Sequence, residues 1–457
     1  VLPLLSARDL DTPLAWRGGV PVSARQFLRD VAQQAERLPA QGAALNLCVD
    51  RYHFSVAFGA TLLRGHVSLF PPNAMAQTID QLRPQHPLLW ALADEPSVQG
   101  LAGLDIVPVT DAGQDTPAET VTLAPELPAA CLLTSGSTGV PQPHLKHWGT
   151  LVRNAVQETR RLAALLQRPG LDGLNIVATV PPQHSYGFES SVLLALQGGA
   201  AFDAGRPFYP ADIATALQRL PHPRALVTTP FHLKTLLRSG VELPAVDLVL
   251  SATAPLSPQL AQETERRCGA VLVEIYGCTE AGQVATRCTA RSDLWHTFDG
   301  LRITRLPGQH EQEHEGERYS VQGGHVTKPT LLADILELQD AEHFRLLGRA
   351  NDLIHVAGKR SSLGHLNFHL NSIEGVEDGA FWVPDEVADG VARPVAFVVA
   401  PALSARDIAA ALRARIEAVF VPRRIVHLPR LPRETTGKLT AQSLRQLARE
   451  HLSPPAS

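Results

Sequence analysis

Apolar positions in this chain come in two textures that alternate. Helix-period stretches run from Ala24 to Leu38 and from Phe54 to Arg64, separated by the short continuous apolar run Ala44 to Val49. The alternation returns further on. Asn175 to Val180, Ala225 to Thr228 and Asp247 to Ser251 read as buried strands, with helices predicted over Gly187 to Gln197 and Pro230 to Arg238. Strands alternating with helices at this spacing predict a mostly parallel α/β layer architecture. Turns rich in Ser, Thr, Pro and Gly follow the strands, which suits sites at strand carboxyl ends. From about Gly300 the texture changes to short strands with polar turns: Asp334 to Leu338, Phe344 to Leu347 and Asp352 to Val356. A strand at Val395 to Ala400, a helix at Ala405 to Phe420 and a basic, Pro-rich end complete an α+β piece. The expected fold is therefore α/β, a large N-terminal domain of layered sheets and helices followed by a small α+β C-terminal domain.

Composition narrows the function classes. With 44% hydrophobic and 19% charged residues the chain has the make-up of a globular protein with ample core. A net charge of −4 gives no case for nucleic acid or an anionic membrane surface as partner. Cys48, Cys131, Cys268, Cys278 and Cys288 are scattered and form no CxxC pair, which argues against a disulfide frame or a zinc knuckle. No apolar run approaches the roughly 20 residues needed to span a bilayer. Val1 to Asp11 lacks the basic start and long apolar core of a signal peptide. A cytoplasmic location is expected.

The densest chemical signal is Thr134-Ser135-Gly136-Ser137-Thr138-Gly139-Val140-Pro141, which packs two glycines and four hydroxyls directly after the apolar run Ala129 to Leu133. Such a loop leaving a buried strand can aim backbone N–H groups and hydroxyls at one point, and phosphate is the usual guest. A flexible Ser/Gly turn is the other reading of this segment taken alone. A Walker-type site is disfavoured because the G-x-x-x-x-G-K-[ST] spacing is missing.

Further stretches follow in order: Pro182-Gln183-His184-Ser185-Tyr186-Gly187, Ser251-Ala252-Thr253-Ala254-Pro255-Leu256-Ser257, Tyr276-Gly277-Cys278-Thr279-Glu280-Ala281-Gly282, Gly348-Arg349-Ala350-Asn351-Asp352-Leu353-Ile354 and Pro432-Arg433-Glu434-Thr435-Thr436-Gly437-Lys438-Leu439. In this order and spacing they resemble the adenylate-forming superfamily of acyl-CoA synthetases, nonribosomal-peptide adenylation domains and luciferases, over residues of about 130 to 445. The resemblance implies two domains, residues 1–350 binding ATP and a carboxylic acid, and residues 351–457 acting as a mobile lid that swings about Asn351. ATP and Mg²⁺ are the implied cofactors.

The roles that the resemblance implies also make chemical sense. Bringing a carboxylate to the α-phosphate joins two like charges, so the site must neutralise the triphosphate and align the attack. Thr134, Ser135, Gly136, Ser137, Thr138 and Gly139 would cradle the β- and γ-phosphates. Glu280 would hold Mg²⁺, with Thr279 hydrogen-bonding the α-phosphate. Adenine would lie between Tyr276, followed by Gly277, and the small pair Ala254 and Pro255. Asp334 would accept from the ribose hydroxyls, and Arg349 would contact ribose or phosphate. Lys438 would draw the carboxylate and α-phosphate together. His184 would line the acid pocket and gate entry of a thiol; a satisfied core histidine is the other reading. The acid pocket is expected among His184 to Phe188, Ser251 to Thr253 and the segment after Gly277. His365 and His369 are spaced i, i+4 but lack the Glu of a zinc motif, and read as structural. Glu311 to Glu317, with His314, reads as a solvated loop.

The chain departs from the pattern in places. The phosphate loop usually ends Pro-Lys and here ends Pro141-Gln142, with Lys146 four residues later as a possible substitute cation. The threonine-glycine that usually precedes the ribose aspartate is missing before Asp334. The stretches Gly358 to Leu363 and Ile373 to Gly379 look most like small stand-alone ligases that charge acyl carrier proteins in fatty-acid-like or aryl-polyene clusters. The expected reaction joins a hydroxybenzoate-like aryl acid, or a medium-chain fatty acid, to the phosphopantetheine thiol of a carrier protein. Arg423, Arg424, Arg430 and Arg433 could meet an acidic carrier. Free coenzyme A as acceptor, and a catalytically weak adenylate-binding protein, remain as alternatives.

Overall fold

Continuous apolar runs became central strands, as their burial on both faces requires. In the computed structural model of the protein, which describes residues 1–71, 73–95, 103–111, 118–135, 141–306, 318–349, 353–356, 359–384, 394–433 and 439–452, two large sheets form the body. In the six-stranded sheet, Pro128–Ser135, Ser68–Phe70, Ala43–Asn46, Leu89–Ala93 and Asp105–Pro108 pair in parallel, and Pro141–His147 closes one edge antiparallel. The eleven-stranded sheet has a parallel centre of Pro13–Arg17, Ala201–Asp203, Asn175–Ala178, Arg224–Thr228, Leu248–Ser251 and Val271–Cys278. Gly282–Arg287, Trp295–Thr297, His343–Arg349 and Asp334–Leu338 extend it antiparallel.

One core joins residues of both sheets. Helix Arg51–Leu63 is buried on nearly every side, and Phe188 packs edge-on to Phe58 and Phe70 with ring centroids 5.1 and 5.0 Å away. Each such side chain contributes about 2–3 kcal/mol of burial. The helix predicted over Gly187 to Gln197 is interrupted: Phe188–Leu193 is a π turn between the short helices Ser185–Gly187 and Leu194–Gly198. A buried clamp that hydrophobic periodicity does not report ties this turn to its neighbours. Arg51, 1% exposed, donates to Ser191 Oγ at 2.7 Å, to Val180 O at 2.7 Å and to Ala178 O at 3.2 Å. π turns of this kind recur at functional sites.

The small C-terminal domain is α+β as expected. Its sheet runs Asp378–Trp382, Val395–Val399, Arg424–His427, flanked by helices Leu363–Asn371, Ala405–Arg413 and Ala441–Leu452. The helix predicted to Phe420 stops at Arg413, and Ala418–Phe420 is a separate 3₁₀ turn. Pro422 favours an extended residue before it, and Val421 is extended. Ser362 Oγ donates to Leu347 O (3.0 Å) and Arg238 Nη2 to Val376 O (3.1 Å), tying this domain to the body. No helix of the described residues is long and apolar enough to cross a membrane.

Candidate active site

The strand Pro128–Ser135 carries the apolar run to Thr134 and Ser135, and the chain returns as Pro141–His147 with Thr134 opposite Gln142. Side chains two apart share a strand face, so Gln142, His144 and Lys146 form one row. That row meets the turn after Val271–Cys278, which belongs to the other sheet. His144 Nε2 lies 3.1 Å from Thr134 Oγ1 and 3.8 Å from Glu280 Oε1. Lys146 Nζ donates to the Glu280 backbone oxygen at 2.8 Å. Lys146 is thus committed to holding the Thr279–Glu280 turn. The residue is 9% exposed, and burial lowers its pKa, against attraction from Glu189.

Tyr276 and Asp334 are brought together although 58 residues separate them: the phenol donates to Asp334 Oδ2 at 2.7 Å. The Tyr276 ring is buried against Trp295 and Phe344, with centroids 5.7 and 5.6 Å away. Asp334 pairs across the strands with the backbone of Arg349, so the ribose and phosphate candidates adjoin despite the missing threonine-glycine. Ala254 and Pro255 are exposed on the loop that leaves Leu248–Ser251, the strand beside Val271–Cys278. Glu274 accepts from the backbone of Leu256 (3.3 Å) and steadies that loop. Thr253 sits at φ +79°, a left-handed conformation that costs a non-glycine residue of order 1 kcal/mol or more and clusters at functional sites. Gly277 is dictated by space, since a Cβ there would come within 2.4 Å of Gly282 O.

His184 is exposed and begins the Ser185–Gly187 turn, its carbonyl accepting from Phe188 N at 2.8 Å. The core-histidine reading is thereby removed. Gly136, Ser137, Thr138, Gly139 and Lys438 lie outside the described residues, as do Asn351, Asp352, Gly358 and the segment Glu311 to Glu317. His365 and His369 stack edge to face at 4.5 Å, both pKa values lowered by burial. Among the described residues Asp50, His53 and Asp94 alone bring three potential metal-binding atoms together. They are already engaged with one another and with their neighbours: His53 lies 3.5 Å from Asp94 and 3.1 Å from Asp111, its backbone N–H donates to Asp50 Oδ1 (2.9 Å), and Arg17 pairs with Asp111 at 2.7 Å.

The donor set suits a hard cation on a polyphosphate. Glu280 offers a half-exposed carboxylate, and the hydroxyls of Thr134 and Thr279 are hard oxygens. The neighbouring Cys278 is pushed up to about 12 by burial and stays a neutral thiol, not a soft ligand. Mg²⁺ held by one carboxylate together with substrate phosphates fits such a site.

Residues 71–302 match the model of the AMP-binding enzymes and residues 369–438 that of the AMP-binding enzyme C-terminal domain. The chain belongs to the AMP-binding enzymes. Through them it joins the adenylate-forming superfamily. The AMP-binding enzyme is 32% identical over 246 residues to a 4-coumarate–CoA ligase of Halorhodospira halophila, a match spanning 53% of this chain and 56% of that protein. It is 30% identical to one of Rhodobacter capsulatus, over 64% and 69% of the two chains. The fold is that of ATP-bound MatB from Rhodopseudomonas palustris (TM-score 0.79, 17% identity, 98% of both chains) and of an O-succinylbenzoate coenzyme A synthetase from Bacillus subtilis in complex with AMP (TM-score 0.76, 18% identity, 95% of both).

Sequence reasoning missed His144 and Arg51. The alternation Gln142, His144, Lys146 was a signal for the first, because one polar face on a strand beside a glycine loop points into the site. Arg51 carried none: a lone arginine at a helix start reads as solvated.

Proposed function

We propose that this AMP-binding enzyme is an ATP-dependent acid–thiol ligase. The supporting observation is the meeting of two sheets at one turn: Thr134, His144 and Lys146 gather around Glu280, and the Tyr276–Asp334 pair lies on the same strand's exit. In the first step a carboxylate oxygen of the acid attacks the α-phosphorus of ATP and pyrophosphate leaves with the electrons of the broken P–O bond. In the second a thiol sulfur attacks the acyl carbon, AMP departs and the thiol proton passes to solvent. Bound Mg²⁺ would neutralise phosphate charge, with Glu280 as its protein ligand. Thr279 would hold the α-phosphate, Tyr276 with Ala254 and Pro255 the adenine, and Asp334 with Arg349 the ribose. Thr134 to Gly139 would cradle the outer phosphates. Residues 351–457 would hinge at Asn351 to deliver Lys438, and the exposed His184 would stand at the mouth of the acid pocket and gate the thiol.

The acid proposed is a hydroxybenzoate-like aryl acid, which fits the 4-coumarate named for the Halorhodospira and Rhodobacter ligases. The acceptor proposed is a carrier-protein phosphopantetheine. Coenzyme A is the second reading, favoured by those relatives' names and by one observation. Arg433 is held bidentate by Asp378 (2.7 Å each) and Arg424 donates to His451 O, leaving Arg423 and Arg430 of the four basic residues for a carrier. Pyrophosphate exchange across a panel of aryl and fatty acids tests the first step; thioester formation with holo-carrier protein and with coenzyme A separates the acceptors. Lys438→Ala should lose at least about 100-fold in exchange and far less in thiolation of pre-formed adenylate. ATP binding without exchange on any acid would leave an adenylate-binding protein instead.

A further inference from the structure

The stretch Ile373 to Gly379, in which the sequence resembles carrier-charging ligases, forms an edge of the C-terminal domain that meets the body. Gly375 turns at φ +89°, a conformation that suits glycine, and a Cβ there would press on Leu403 at 3.0 Å. Val376 N closes the turn on Ile373 O (3.1 Å), and Glu377 N then donates to Val399 O (2.7 Å), just ahead of strand Asp378–Trp382. The Val376 carbonyl is thereby fixed in direction, and it accepts from Arg238 Nη2 at 3.1 Å. Arg238 ends helix Pro230–Arg238. That helix starts at the carboxyl end of strand Arg224–Thr228, which pairs with Leu248–Ser251, the strand whose exit loop carries Ala254 and Pro255.

Lys234 lies one turn before Arg238 on the same helix face. Charges from both domains meet around it: Asp378 and Glu377 attract its ammonium, and Arg238 and Arg433 repel it. Burial, then repulsion from Arg238, lowers its pKa to about 8. Arg433 is locked into the same contact, since Asp378 accepts from it twice at 2.7 Å. Only five residues separate Arg433 from Lys438 in the sequence, a length of chain that reaches at most about 18 Å. Among the described residues no apolar cluster crosses this contact: the clusters of the C-terminal domain contain none of the body's side chains. A polar contact of this kind holds two domains in one orientation and still lets them part.

Resting on the ligase reading, we infer that Arg238 is the body's latch for the C-terminal domain, holding it in the orientation that forms the adenylate. It is a positioning residue, acting through Lys438. Release of the Arg238–Val376 bond frees the domain for the thiol step.

The test uses the full chain and an acid that it activates. Pyrophosphate exchange reads the first step, and thioester formation from pre-formed adenylate reads the second. One lost hydrogen bond shifts a two-state balance by about five- to tenfold. Arg238→Met should therefore lower kcat for exchange by about that factor, leave KM for ATP within about twofold, and keep thiolation at or above the wild-type rate. Arg238→Lys, which retains a cationic donor, should restore most of the exchange. On a Lys438→Ala background, Arg238→Met should cost less than about a further twofold, because the group it positions is gone. Equal losses in both steps, a full further loss without Lys438, or lost thiolation with exchange kept would each overturn the latch while leaving the ligase standing. Exchange by the wild type with no acid at all would sink the ligase reading and the latch with it.

Discussion

Glu158→Gln isolates the energetic cost of a carboxyl buried on helix Trp148–Leu165. Burial, opposed by bonds from Ser190 and Gln283 and reinforced by repulsion from Glu189, raises Glu158 from 4.5 to about 8. The sign follows from proton counting. Between those values the unfolded carboxyl is ionised and the folded one keeps its proton, so the native state binds more protons and stability falls as pH rises. Stability is full below about 4.5 and its loss is complete above about 8. At 1.36 kcal/mol per pH step, the drop is on the order of 5 kcal/mol, a large part of a typical 5–15 kcal/mol total. The amide is the same size, can still meet Ser190 and never ionises. Urea unfolding followed by tryptophan fluorescence, with Trp148 buried at the start of the same helix, should find wild type and variant within about 1 kcal/mol at pH 5. At pH 8.5 the variant should be the more stable by several kcal/mol. Glu189, raised to about 7 chiefly by burial, leaves a residual slope in both proteins. Unfolding midpoints that differ by the same amount at every pH would show that Glu158 is ionised in the native state, and the reasoning would fail.

Tyr276→Phe removes the donor to Asp334 Oδ2 and keeps the ring on Trp295 and Phe344. A bond to a charged acceptor contributes about 1.5–3 kcal/mol, so KM for ATP in exchange should rise by about tenfold or more, and an unchanged KM would disconnect the pair from nucleotide binding. Lys146→Met takes away the ammonium that holds the Glu280 carbonyl. Loss of this charge-assisted bond should lower kcat for exchange by about 10- to 100-fold, while KM for ATP moves less than about threefold. The opposite split, with KM rising and kcat kept, would make Lys146 a phosphate ligand in place of the lysine missing at Gln142.

Where local chemistry dictates structure, the chain could be read directly. Helix Pro230–Arg238 and strand Asp334–Leu338 occur where hydrophobic spacing predicts them, because burial on one face or two leaves a periodic record along the chain. The order of motifs identified the superfamily, and the ends of the parallel strands were the expected place for Thr134, Thr253 and Thr279. What the chain does not encode locally is which distant groups meet. The meeting of Tyr276 and Asp334 across 58 residues, and the bonds that join Glu158, Ser190 and Gln283, exist because two sheets and a helix layer close on one another. Arg51 ties Ser191 of the π turn at Phe188–Leu193 to the carbonyls of Ala178 and Val180, a set of bonds that exists only once the strand Asn175–Ala178 and the turn are side by side. Lys146 shows the division most plainly. Its residue type and place after the glycine loop suggested a phosphate cation; the packed turn beside it offers this buried lysine a carbonyl 2.8 Å away, that of Glu280.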